Sequence, residues 1–191
     1  MPGRQAKIIT PFTLRRMLVY ARKSPYPARD RVIVLLSAKA GLRAAEIAQL
    51  DWSMVLDARG QIADAVAVHD VIAKKRSGRL VPMHPRLRKA LIELKQQVEP
   101  VGPVIRSVRG GAMRPNSIVN WFVRLFDELG IDGCSSHSGR RTFITGAARN
   151  VHRAGCSLRD VQLLAGHRSI EMTQRYIDGD TRAQRKLVSL L

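Results

Sequence analysis

Apolar positions along the chain recur mostly at the three-and-four spacing of amphipathic helices. Leu14, Met17, Leu18 and Ala21 make the first such stripe, with Thr13 able to cap it and Ser24-Pro25-Tyr26-Pro27 bound to stop it. Val32, Ile33, Leu35 and Leu36 predict a second helix from about Ala28 to Ala40, which Gly41 can end. Helical spacing resumes from Arg43 to Leu50, packing through Ile47 and Leu50, and Trp52 is expected to close that core. Between Ile62 and Met83 the period changes: Val66, Val68, Val71, Ile72, Leu80 and Val81 predict short strands of a small antiparallel sheet around a tip at Arg76-Ser77-Gly78. Pro85 opens a helix carrying Leu87, Leu91 and Leu94 that ends before Pro100, and a loop follows from Pro103 to Arg114. Pro115 begins a helix to about Leu129 with Ile118, Trp121, Phe122 and Leu125 inward. Ser135 or Ser136 can cap another from His137 to about Arg153, which Gly155 ends. Ser157-Leu158-Arg159-Asp160 has the form of a capping box for a short helix reaching Gly166, and one more helix carries Met172, Tyr176 and Ile177. The expected fold class is mainly α with one small antiparallel β-sheet.

Charge adds what the pattern does not say. The 191 residues hold 33 Lys plus Arg against 15 Asp plus Glu, a net charge of +18, and 25 of the 33 cations are Arg. Arg grips phosphate oxygens with a planar fork, so the partner this balance points to is nucleic acid; a basic surface kept for solubility is the plainer alternative. Apolar residues at 45% exclude a disordered chain. Cys134 and Cys156 fit neither a disulfide framework nor a metal-binding spacing. The first ten residues lack the apolar run of a signal peptide, and no stretch reaches the ~18 consecutive apolar residues of a membrane span. The expectation is a cytoplasmic protein with no membrane attachment and no metal.

Candidate chemistry rests on six positions, each ordinary when taken alone. His137 and Arg140 stand three apart on a predicted helix, so their side chains face the same way, yet such pairs arise by chance. Arg43 reads equally well as a solvated cation. Lys74, beside Lys75 and Arg76, could simply protect a sheet edge. His167 after Gly166 suits a helix end, and Tyr176 suits a core. Their joint order and local contexts distinguish them.

That order resembles the catalytic domain of the tyrosine recombinases, the phage-integrase family. Ala40-Gly41-Leu42-Arg43-Ala44-Ala45-Glu46-Ile47 resembles the family's first arginine box, with Glu46 at the acidic position that braces the arginine. Val71-Ile72-Ala73-Lys74 followed by Arg79-Leu80-Val81-Pro82 is similar to the hairpin bearing the family's lysine. Ser136-His137-Ser138-Gly139-Arg140-Arg141-Thr142-Phe143 resembles its H-x-x-R box, although Gly139 stands where leucine is common. Leu164-Ala165-Gly166-His167-Arg168-Ser169, with Tyr176 nine positions after the histidine, resembles the final box, Ala165 again replacing leucine.

The resemblance implies a catalytic domain over residues 13–180, a short extension at 1–12 and a tail at 181–191. It also implies that the family's amino-terminal core-binding domain is missing here, so that an accessory DNA-binding protein could complete the clamp. The implied reaction is site-specific recombination, of the integrase, invertase or resolvase kind. Tyr176 would attack a DNA phosphodiester to give a 3′-phosphotyrosyl bond, Arg43 and Arg140 would clamp nonbridging oxygens, Lys74 would protonate the leaving 5′-oxygen, His137 would handle the tyrosine proton and His167 would hydrogen-bond the phosphate. The covalent step conserves bond energy, so no cofactor is expected. The implied partners are double-stranded DNA and further copies of the chain, with apolar Leu187, Val188, Leu190 and Leu191 offered for docking between protomers. The competing readings are a non-cleaving basic DNA-binding regulator on the same fold and a type IB topoisomerase.

Overall fold

The computed structural model describes residues 6–73, 77–176 and 188–189. It divides into two compact units, Met1–Phe143 and Ile144–Leu191. Among the described residues the order of elements is α1 (Pro11–Lys23), α2 (Pro27–Lys39), α3 (Ala44–Ala48), β1 (Ala65–Val68), β2 (Arg79–Pro82), α4 (Pro85–Lys95), α5 (Pro115–Glu128), α6 (Ser138–Asn150), α7 (Leu158–Ala165) and α8 (Ile170–Gln174), with 3-10 turns at Trp52–Met54 and His152–Ala154. Mostly helical, with one two-stranded antiparallel sheet, it has the expected fold class.

In the first unit α2 is central. Residues Val32 to Ala38 are buried all round, because α1, α3 and α4 pack against it and leave no face for water. α1 presents Leu14, Met17 and Ala21, while α4 presents Leu87, Leu91 and Leu94. α3 packs against α5, whose Ile118, Trp121, Phe122 and Leu125 are buried, and Trp52 is fully enclosed. Edge-on contacts of Trp121 with Tyr20 and Phe122 continue this core.

Two expectations are corrected here. The first helix begins before Thr13: Pro11 occupies its first turn and the Thr10 hydroxyl accepts the Thr13 N–H at 3.1 Å, which makes Thr10 the cap. The strands are shorter than the apolar run suggested. β1 ends at Val68, so Val71 lies beyond it and is exposed, and Leu80 is 68% exposed. The register pairs Val66 with Val81 and Val68 with Arg79; the alternation that turns Val81 inward turns Leu80 out and puts Arg79 on the buried face. The expected tip falls partly at 74–76, outside the described residues.

In the second unit α7 packs against α8. The capping box is present, the Asp160 carboxylate accepting from both the backbone N–H and the hydroxyl of Ser157. Gly166 then ends α7 in the left-handed conformation at φ 61°. α8 stops at Gln174, so Tyr176 stands in the turn after it, while Ile177 and all of the tail except Val188 and Ser189 lie outside the described residues. Among the described residues no helix is long and apolar enough to cross a membrane.

Candidate functional site

Arg43 is held by the way α2 gives way to α3. Gly41 turns the chain at φ 64°, where a side chain would also run into the Phe143 ring. Leu42 is buried, and Arg43 becomes the cap residue of α3. Glu46, three residues on, accepts the Arg43 backbone N–H at 2.8 Å and its Nη1 at 2.7 Å. The carboxylate is 1% exposed and the Arg43 side chain 19%. Glu46 thus holds both the Arg43 side chain and the backbone that carries it.

A second guanidinium completes this cluster. Arg79 donates from Nη1 to Glu46 Oε1 at 3.0 Å and from Nη2 to Oε2 at 2.9 Å. Burial alone would raise the Glu46 pKa, but the hydrogen bond and charge of Arg79, followed by those of Arg43, lower it from 4.5 to about 2. The sequence reading gave Arg79 no role. Its signal was there: a cation two residues before inward-facing Val81 must lie on the buried face of the strand and requires a counter-charge.

Arg140 lies in the first turn of α6 and is 4% exposed. Its Nη1 donates to the Gly41 carbonyl at 2.7 Å, which brings the H-x-x-R segment to the turn that presents Arg43. Gly139, on the same turn, abuts Ser37 of α2, and a β-carbon there would overlap the serine side chain. The glycine at a position where leucine is common thus reflects a close approach of α2 and α6. The helix starts one residue later than expected, at Ser138, so His137 precedes it and is exposed. The His137 N–H donates to Ser135 Oγ at 3.2 Å, and its carbonyl accepts the Arg141 N–H.

Lys74 lies outside the described residues. The segment on its far side is fixed by Asp70, whose Oδ1 accepts the Gly78 N–H at 2.7 Å, and by the Arg79 fork.

The second unit brings His167 and Tyr176 together. Their rings stack with centroids 5.4 Å apart and planes inclined by 24°. His167 is 6% exposed, and its Nδ1 lies 2.9 Å from Thr173 Oγ1. The Gln162 side-chain amide donates to the His167 carbonyl at 3.0 Å, fixing the backbone that carries the ring. The Thr145 hydroxyl donates to the Tyr176 carbonyl at 3.2 Å, and the tyrosine is half-buried. The structure thus joins Arg43, Glu46 and Arg140 within the first unit and His167 with Tyr176 within the second. Among the described residues no group of three His, Cys, Asp or Glu side chains could hold a metal ion.

The fold is that of the tyrosine recombinase catalytic domains. The chain belongs to the phage integrase family, whose model matches residues 7–182. It is 29% identical over 159 residues to the tyrosine recombinase XerC of Mesorhizobium japonicum, a match covering 81% of this chain and 48% of that protein. The chain spans about half the length of the curated relatives it matches. Among solved structures, the Tn1549 transposon integrase in complex with a circular intermediate DNA superposes with TM-score 0.76 at 19% identity, over 100% of this chain and 67% of that one. The XerH site-specific recombinase bound to palindromic difH substrate, a post-cleavage complex, gives TM-score 0.75 at 17% identity, over 99% and 54%.

Proposed function

We propose that the chain is a site-specific DNA recombinase that cuts and rejoins strands through covalent attachment to Tyr176. The Tyr176 oxygen attacks a phosphodiester, the phosphorus–tyrosine bond forms and the bond to the 5′-oxygen breaks, leaving a 3′-phosphotyrosyl end and a free 5′-hydroxyl. His137 takes the tyrosine proton and Lys74 gives one to the leaving oxygen, so charge and protons balance. A 5′-hydroxyl from another strand then reverses the step, which requires no energy-carrying cofactor.

Arg43 and Arg140 hold nonbridging oxygens, which gain charge in the transition state. Fixed cationic donors of this kind are worth on the order of 3 to 4 kcal/mol each by analogy with oxyanion sites. Anchoring both arginines before DNA arrives avoids reorganising them during reaction, and His167 adds a hydrogen bond to the same phosphate. The observation that carries this reading is the anchoring of Arg43 and Arg140 on one turn in a chain of the phage integrase family.

The net charge of +18 suits double-stranded DNA, and two copies on inverted half-sites suit the palindromic substrate named for XerH. The reading is tested by incubating the chain with nicked plasmid DNA, quenching with SDS and extracting with phenol. Strand cleavage predicts DNA carried with protein by its 3′ ends, and 5′ ends open to labelling by polynucleotide kinase without phosphatase treatment. DNA that is bound but never attached would identify a non-cleaving binder.

A further inference from the structure

Arg79 does work that the family-derived roles leave unassigned. It sits on the inward face of β2, its side chain is 4% exposed, and both terminal nitrogens are directed at Glu46. A cation so enclosed is poorly placed to grip DNA. The Glu46 carboxylate accepts two donors on each oxygen: Arg43 Nη1 and Arg79 Nη1 on Oε1, the Arg43 backbone N–H and Arg79 Nη2 on Oε2. Arg43 and Glu46 alone would form a neutral pair, whose field largely cancels at an approaching phosphate. A second guanidinium on the same carboxylate leaves the cluster with one net positive charge, and the more exposed member, Arg43, can direct it outward.

We infer that Arg79 is a positioning residue that compensates Glu46, so that the carboxylate can orient Arg43 without cancelling its charge toward a DNA phosphate. This inference rests on the strand-cleavage reading for its catalytic consequence, but not for the pairing itself. The same fork fixes the start of β2.

The test compares the full chain with R79Q, R79K, E46Q and E46Q/R79Q, scoring adduct formation on nicked plasmid DNA under single-turnover conditions and the urea midpoint of each protein. R79Q is expected to slow adduct formation at least about 10-fold, because Glu46 then cancels Arg43, and R79K, which keeps the charge, to regain most of that loss. In the E46Q background, where no carboxylate needs compensation, adding R79Q should cost no more than about 2-fold. An R79K as slow as R79Q, or equal slowing by R79Q in both backgrounds, would overturn the inference. A wild-type chain forming no adduct would instead contradict strand cleavage, and the urea midpoints then decide the pairing. R79Q takes one of its two cations from buried Glu46 and E46Q takes the carboxylate from buried Arg79, so each should lower the midpoint, with the double variant recovering most of the loss; losses that simply add would refute the pairing.

Discussion

The Arg140 guanidinium is tied to the Gly41 carbonyl by a 2.7 Å hydrogen bond, so residues 99 positions apart are joined beside Arg43. Gly41 can make this turn because its φ of 64° is open to glycine. Two arginines from distant boxes are thereby anchored on one turn. Arg43→Ala or Arg140→Ala is therefore expected to slow single-turnover adduct formation at least about 100-fold, since each removes a charge-assisted donor to the transition state. Slowing of less than about 3-fold in either variant, with the protein still folded, would contradict its assigned role.

Lys74 is assigned to the leaving group, not to the phosphate oxygens. Lys74→Ala should therefore cleave slowly on ordinary DNA and regain most of its rate on a duplex with a 5′-bridging phosphorothiolate, whose sulfur leaves without a proton. Arg43→Ala should gain far less from the same substrate. Equal rescue of both would mean that the two roles are not separate.

Gly139 offers a test on stability that turns on sign. An alanine in a helix is ordinarily more stable than glycine by roughly 1 kcal/mol. At this position the added methyl group meets Ser37, and overpacking of a close contact costs roughly 1 to 3 kcal/mol. Gly139→Ala should lower the urea midpoint, and Ser37→Ala, which removes the hydroxyl, should soften that effect. A raised midpoint in Gly139→Ala would show that α2 and α6 are not so close.

Glu46 predicts a pH dependence of folding. Its pKa is lowered to about 2 in the folded chain, against burial, by Arg79 and Arg43, from an ordinary 4.5. A depressed carboxylate contributes stability above its unfolded pKa and loses it as pH falls through the folded one. The wild-type urea midpoint should fall between about pH 4.5 and 2, and Glu46→Gln should flatten that part of the curve. Identical slopes in the two proteins would mean that the carboxylate is not held by the two cations.

Helices were legible wherever a clean apolar stripe met proline or a capping residue, as at Pro85 and Pro115. The sheet was legible in kind but not in extent, because an apolar run does not say where pairing stops: Val71 is apolar and exposed. At the candidate site the braced pair Arg43–Glu46 could be read because both residues belong to one box, three positions apart. Arg79 could not be paired with Glu46 in the same way. The two are 33 positions apart, and only the fold brings the Arg79 side chain to Glu46 of α3. The closeness of Gly139 to Ser37 is likewise a property of two helices together, invisible in either one.

Tyr176 is the proposed nucleophile, and the surroundings of Tyr20 argue against that residue. The Tyr20 hydroxyl donates to Glu128 at 3.1 Å, and its pKa is raised by burial and then by that carboxylate, which makes its oxygen harder to ionise. The most direct measurement is to trap the adduct on nicked plasmid DNA, digest protein and DNA, and locate the attached nucleotide by mass spectrometry, with Tyr176→Phe in parallel. The nucleotide should be found on the peptide containing Tyr176, and Tyr176→Phe should form no adduct while binding DNA within a few fold of wild type. A nucleotide on Tyr20 or Tyr26, or an adduct that survives in Tyr176→Phe, would contradict the account.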